Sequence, residues 1–272
     1  MNIWTSKSIE LANQRDYLDQ LFKVYPMSTN LNREITKTDE IELRNFIQNR
    51  NNTELVKFLL EQVKNKKLVF PFKDSYVRYL FNDFSAIERN PQTVNRLAGK
   101  IYSMGADETL KAMIRPKETN QQIGPLFKNW IDKGVFGVRV VSDAKEFISS
   151  NENIIFNSGD GAMVQLARNY LGYNRIREKG LDFIAKFNGK YVLGEAKFIS
   201  DLGGNQNNQL DDAIGTMRSN MNIIDSEVIA IAIVDGTPYI RNNGKQHKIL
   251  TSASDNEVII SSLLLSDYLF SL

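Results

Sequence analysis

The clearest pattern in the chain is a run without alternation, Val228-Ile-Ala-Ile-Ala-Ile-Val234, which suits a central strand covered on both faces. Upstream, Gly180 to Phe198 alternates in two stretches about Asn188-Gly189. That dipeptide tolerates the positive φ values of a two-residue type I′ turn, so the segment predicts a β-hairpin. Leu210 to Met221 follows with the apolar spacing of an amphipathic helix. Strand, helix, strand makes a crossover unit, so the apolar run should lie parallel to the second hairpin strand.

Around this centre the pattern predicts an edge strand over Val135 to Val141, a short helical turn between Asp143 and Ser150, and a helix over Ala162 to Leu171. Tyr239 to Arg241 could return as an edge strand. Val258 to Leu272 reads as an apolar helix, at about fifteen residues short for a membrane span. The first half is helical in character. Helices are expected from Ser8 to about Phe22, from Thr38, over Thr53 to Lys64, and across residues 74 to 131 with breaks at Pro91, Gly105 and Pro116. Pro91 suits a first helical turn. The character changes near Gly134, which suggests a mainly helical N-terminal region over 1–134 and an α/β (α+β) core over 135–272, a mixed sheet flanked by helices.

The hairpin turn fixes a register. With Asn188 and Gly189 as the loop, Phe187 faces Lys190, Ile184 faces Leu193, and Asp182 faces Glu195. Counted from the turn, the last pair falls at a non-hydrogen-bonded position, where facing Cα atoms are about 4.5 Å apart. Like charges that close oppose folding unless something neutralises them. A divalent cation would, and Lys197 projects from the same face. Solvated positions on an exposed hairpin are the plainer account. Against it, Ile184 and Leu193 share the carboxylate face while Phe183, Ala185, Val192, Ala196 and Phe198 line the other, so both faces look buried, and buried carboxylates need partners.

Composition narrows the chemistry. The chain has 272 residues, no cysteine and one histidine, His247, which excludes disulfides and thiolate metal sites and argues against a Ser-His-Asp triad or a multi-histidine centre. Lack of cysteine and of a secretory or membrane-spanning stretch suggests a cytoplasmic protein. Net charge is +2, but residues 1–134 carry a net +5 and 135–272 a net −3. The N-terminal region is therefore a candidate arm for a polyanion, or simply a solvated surface. Arg89, Arg96 and Lys100 give one predicted helix a basic side. Two segments are dense in amides: Lys117-Glu-Thr-Asn120-Gln121-Gln122, and Asn205-Gln206-Asn207-Asn208-Gln209 in a glycine-containing loop after Lys197. Asn and Gln can pair bidentately with adenine, so either segment could read bases, while polar capping or loop roles remain open. Asp160, between two glycines, is a candidate second carboxylate or a turn residue.

The order helix, hairpin carrying Asp182 and Glu195-Ala-Lys197, crossover helix, buried parallel strand resembles the core of the PD-(D/E)xK nuclease superfamily, and within it type II restriction endonucleases. The likeness covers residues 158 to 240. Leu181 stands where the pattern has proline. Glu195-Ala-Lys197 running into a glycine- and amide-rich segment is similar to the EcoRI-like branch. The resemblance implies that Asp182, Glu195 and the backbone carbonyl of Ala196 ligate Mg²⁺ and that Lys197 orients or deprotonates the attacking water, and it offers Asp160 as a carboxylate behind them. It further implies double-stranded DNA as substrate and a cognate DNA methyltransferase; the symmetry of palindromic sites then suggests a homodimer, and amide density and basic charge make Arg89, Arg96, Lys117, Asn120, Gln121, Gln122 and Asn205 to Asn208 the candidate DNA contacts. A structure-selective or repair nuclease of the same superfamily, or a non-catalytic nuclease-like DNA-binding module, is the alternative.

Overall fold

The computed structural model describes residues 1–26, 33–66, 68–115, 122–174, 181–219, 227–241 and 244–272. Two compact units divide the chain, residues 1–27 together with 119–272, and residues 28–118. The expected boundary near Gly134 thus differs from the observed division at both ends of the helical insert. The first unit opens with α1 (Ile3–Ala12) and α2 (Tyr17–Leu21). The second unit holds α3 (Lys37–Gln48), α4 (Asn52–Lys66), α5 (Ser75–Asn82), α6 (Ala86–Arg89) and α7 (Pro91–Met113). Its core is Leu43, Leu55, Leu59, Leu60, Leu97 and Ile101 with their neighbours. The start of α3 falls slightly earlier than expected, because Thr36 rather than Thr38 accepts the Asp39 N–H at 3.2 Å. Pro91 does open α7, and Gly105, at φ 78°, breaks its helical geometry.

The first unit resumes with α8 (Ile123–Asp132), β1 (Arg139–Val141), α9 (Ala144–Ser149), β2 (Ile154–Phe156), α10 (Asp160–Tyr170), β3 (Phe183–Phe187), β4 (Lys190–Ile199), α11 (Gly204–Met217), β5 (Val228–Gly236), α12 (Lys245–Thr251), β6 (Ile259–Ile260) and α13 (Leu265–Phe270). The six strands form one mixed α/β sheet in chain order. β1 and β2 are parallel, β3 is antiparallel to β2 and β4, and β4, β5 and β6 are parallel. The hairpin register is as expected: Phe187 pairs with Lys190 and Ile184 with Leu193. Asn188 and Gly189 have φ of 50° and 81°, as the turn requires.

Alternation along the hairpin divides its side chains between two cores. Ile184 and Leu193 pack with Phe156, Phe147 and Met163, and Phe183, Val192 and Ala196 pack with Phe127 and Ile131 of α8 and with Leu210 and Ala213 of α11. The central run β5 is covered, with Ile231 to Val234 fully buried.

Three expectations are corrected near the C-terminal end. Tyr239 belongs to a 3₁₀ turn, Thr237–Tyr239, because Pro238 removes a ladder donor. The apolar stretch from Val258 is not one helix. Its β-branched Ile259 and Ile260 pair with Ala232 and Ile233, and only Leu265–Phe270 is α-helical. The amide run after Lys197 is the start of α11 rather than a loop.

Strand β5 ends in a polar knot. Asp235 is fully buried and accepts hydrogen bonds from Ser261 Oγ at 2.5 Å, Tyr25 Oη at 3.1 Å, Tyr17 Oη at 3.3 Å and the Ser262 amide at 3.3 Å. Burial raises its pKa, against the lowering effect of these donors. The knot joins the first residues of the chain to the far edge of the sheet.

Candidate active site

The sheet places Asp182 one residue before β3 and Glu195 and Lys197 within β4. The regular ladder stops at Phe183 and Gly194, so the Ala196 N–H lies beyond the reach of the β3 backbone. A buried amide needs an acceptor. The Asp182 side chain supplies it, its Oδ2 accepting the Ala196 N–H at 3.0 Å, while the Asp182 N–H donates to the Gly194 carbonyl at 3.1 Å. In a strand the N–H and C=O of one residue point to the same side, so the Ala196 carbonyl also faces the Asp182 side.

Lys197 closes the group. Its Nζ is 2.7 Å from Glu195 Oε1 and 3.9 Å from Asp182 Oδ2. The three are graded in depth: the Glu195 side chain is 4% exposed, that of Asp182 14% and that of Lys197 22%. Glu195 is therefore the fixed base of the site, and the other two reach toward solvent. Burial pushes the Asp182 carboxyl above the usual carboxylate range. The Lys197 ammonium and the Ala196 N–H pull it back, and the Glu195 charge raises it further. Burial works against the charge on Lys197, but Glu195 and Asp182 more than offset it and raise the lysine.

Three neighbours were not evident in the sequence. Thr216, fully buried on α11, donates its hydroxyl to Glu195 Oε2 at 2.8 Å and so fixes the rotation of that carboxylate. Asp212, one turn earlier, adds negative charge around Lys197. Gly124 in the first turn of α8 lies against Asp182, where a Cβ would come within 3.0 Å of Oδ1. Thr216 is four residues after Asp212, so helical spacing alone could have paired them, but nothing local aims either at β4.

The remaining expected residues sit elsewhere. Asp160 is in the first turn of α10 and pairs with Lys128 Nζ at 2.6 Å, a lysine that also bonds the Ser158 carbonyl. Gln206 is buried and its side-chain oxygen accepts the Ser200 N–H at 3.2 Å, while Asn207 Oδ1 accepts from Gln246 Nε2 at 3.0 Å. Gln206 thus fastens the segment between β4 and α11, and Asn207 ties α11 to α12. Asn208 is exposed, and Asn205 is in the first turn of α11. Gln122 immediately precedes α8; Lys117, Asn120 and Gln121 lie outside the described residues. Arg89 and Arg96 are exposed in the second unit.

Among the described residues no group of three or more His, Cys, Asp or Glu side chains could hold a metal ion. The donor set at this site is two carboxylates and a backbone carbonyl, all hard oxygens. That set suits Mg²⁺, which takes one or two carboxylates and keeps its other positions for water and phosphate oxygens, better than a metal demanding a full protein cage.

The model of the Tsp45I type II restriction enzyme family matches residues 2–272. No curated protein and no solved structure matches the chain.

Proposed function

The chain belongs to the Tsp45I type II restriction enzyme family, and from that membership we propose that Asp182, Glu195 and Lys197 form its catalytic centre, a PD-(D/E)xK arrangement working with Mg²⁺ on double-stranded DNA. As a member of this family it is a site-specific restriction endonuclease, a deoxyribonuclease that hydrolyses phosphodiester bonds. The observation that carries the site assignment is the convergence of two carboxylates and one ammonium at the open end of the hairpin, two of them less than 15% exposed and the third within ion-pair reach of both.

Asp182, Glu195 and the Ala196 carbonyl would hold the cation. Bound there, a divalent ion polarises the phosphodiester and lowers the pKa of a bound water. The chain's own part is positional. Thr216 keeps the Glu195 carboxylate from rotating, and the Ala196 N–H does the same for Asp182. The Lys197 ammonium, at the solvent side of Glu195, orients the attacking water and offsets the charge that builds on the phosphoryl oxygens as the new P–O bond forms and the old one breaks. Asn208, exposed near the start of α11 and close in sequence to β4, is the amide of its run best suited to meet a base edge.

A palindromic site presents the same edges to two copies related by a two-fold axis, so a homodimer with one cut per subunit is the economical assembly. Such an enzyme acts on DNA in the cytoplasm alongside a cognate methyltransferase that protects the host sequence. Among the described residues no helix is long and apolar enough to cross a membrane.

Incubating purified protein with plasmid DNA and Mg²⁺ should give a fixed set of discrete fragments, and EDTA should stop their formation. A smear, or cutting only at branched DNA, would return the structure-selective alternative. Thr216→Val keeps the side-chain volume and removes the hydroxyl. It should lower cleavage about tenfold to a hundredfold, the usual cost of losing a group that orients a metal ligand, and added Mg²⁺ should recover part of the loss. A wild-type Mg²⁺ dependence in this variant would show that Thr216 does not orient Glu195.

A further inference from the structure

The second unit carries a surface that the nuclease centre does not explain. Helix α5 buries Val77 and Leu80 and turns Tyr76 and Tyr79 outward, 55% and 61% exposed. Two exposed aromatic rings on a helix of eight residues serve no core. They line a pocket of about 430 Å³ with Leu80, Arg89, Asn90 and Thr93, within the range of volumes that bind small aromatic groups.

Cations accompany the rings. The Arg96 guanidinium lies 5.4 Å from the Tyr76 ring centroid and also donates to Thr93 Oγ1 at 3.0 Å, so it is held beside the pocket. Arg89 is fixed by Asp83 and Ser85, each at 2.6 Å, which neutralises part of its charge but sets its direction. Nearby on the same unit, Lys100 sits 4.1 Å from the Phe72 centroid and Arg78 5.7 Å from that of Phe81. Residues 28–118 carry 16 Lys+Arg against 12 Asp+Glu, a net +4, while the rest of the chain is net −2. Exposed rings interleaved with fixed cations on a positive unit are what a nucleic-acid strand requires, faces for its bases and charge for its phosphates.

The geometry chooses the state of that strand. In a duplex each base face is covered by its neighbours, and a tyrosine ring in a pocket can meet a base face only when the base has left the stack. We propose that the pocket between α5 and the start of α7 binds single-stranded DNA, with an unpaired base stacked on Tyr76 and Tyr79 and Arg96 and Arg89 beside the flanking phosphates. This rests on DNA being the enzyme's substrate and adds a site in the second unit to the one on the hairpin. Strands of this kind arise at frayed cut ends and at bases displaced from a duplex.

The test uses the full chain in EDTA, so that nothing is cut. Fluorescence anisotropy of a short labelled oligothymidine reports binding, with an equal-length duplex as comparison. Wild-type protein should bind the single strand, more weakly as salt rises. Tyr76→Ala and Tyr79→Ala should each weaken binding about tenfold, the effect of losing one base–aromatic stack, while Tyr76→Phe and Tyr79→Phe bind as wild type because the ring is kept. Arg96→Ala should flatten the salt dependence. Circular dichroism melts establish that the variants are folded. Single-strand binding that is absent, or unchanged when both tyrosines are alanine, would overturn the proposal. Plasmid cleavage by the same preparation is read separately, and its failure would count against the hairpin site and not against this pocket.

Discussion

Glu195→Gln should leave a folded protein that binds DNA and cuts it at least about a thousandfold more slowly. The substitution keeps the shape, and an amide oxygen can still accept from Thr216 at the position where Oε2 now sits 2.8 Å away. What it removes is the negative charge that the site is arranged around. Lys197 loses its 2.7 Å partner and keeps Asp182, at 3.9 Å, with the Asp212 charge farther off. In the proposed site a divalent cation would lose one of its two carboxylates. Losing a single preorganised group at a transition state costs about a hundredfold to a thousandfold, and here one change weakens both the cation site and the orientation of Lys197, so the loss lies at or beyond the upper end. Stability changes less, because Lys197 is 22% exposed and water can solvate it once the pair is broken. Single-turnover cleavage of a labelled duplex at saturating enzyme separates the two effects, since binding is then complete. Wild-type cleavage by this variant with Mg²⁺ present would remove Glu195 from the mechanism.

The part of this site that could be seen in the sequence was the part made by short-range geometry. A two-residue Asn-Gly turn leaves one register, and that register carries Asp182 and Glu195 to the same end of the hairpin. The crossover through α11 followed from the buried run of β5, which does lie parallel to β4. Hidden were the groups brought in by packing. Thr216 reaches Glu195 across 21 positions, and Gly124 approaches Asp182 across 58. Neither residue type announces its partner. The C-terminal stretch misled because an apolar run of β-branched residues fits a buried strand as well as a helix, and only the open edge of β5 decides between them. The amide run was legible only as polarity. Gln206 and Asn207 satisfy neighbours within their own unit, Ser200 and Gln246, which polarity alone does not distinguish from readiness to read bases. The division of the chain was obscured for a related reason: α1 and α2 are helices like those of the insert after them, yet Tyr17 and Tyr25 bond Asp235 at the end of β5.

That end of β5 is where the fold itself is most exposed to a single change. Gly236→Ala should abolish the folded state or lower its melting temperature by about 10 °C or more. Gly236 has φ 95° and ψ −138°, a conformation that side chains with a Cβ hardly adopt, and this alone costs about 1–3 kcal/mol. A Cβ there would lie 2.1 Å from the Ile199 carbonyl oxygen and 2.9 Å from the Phe198 ring. The first of these neighbours is backbone, paired in register with Gly236 itself, so it cannot swing aside as a side-chain tip could. Relief requires β4 and β5 to separate at their ends, and the Gly236 N–H would then leave the Tyr17 hydroxyl it now reaches at 2.9 Å. Together these effects amount to several kcal/mol, a large share of the ~5–15 kcal/mol that holds a typical domain together. Gly161→Ala is the matched control. It sits in the first turn of α10 with nothing within 4 Å of the new Cβ, so its melting temperature should stay within a few degrees of wild type. Equal melting of the Gly236 and Gly161 variants would mean that β4 and β5 do not approach closely at Gly236. The two variants should also fail differently. Glu195→Gln loses cutting and keeps its melt, whereas Gly236→Ala loses both together, because Lys197 is held by the same strand that the clash displaces, only two residues before Ile199.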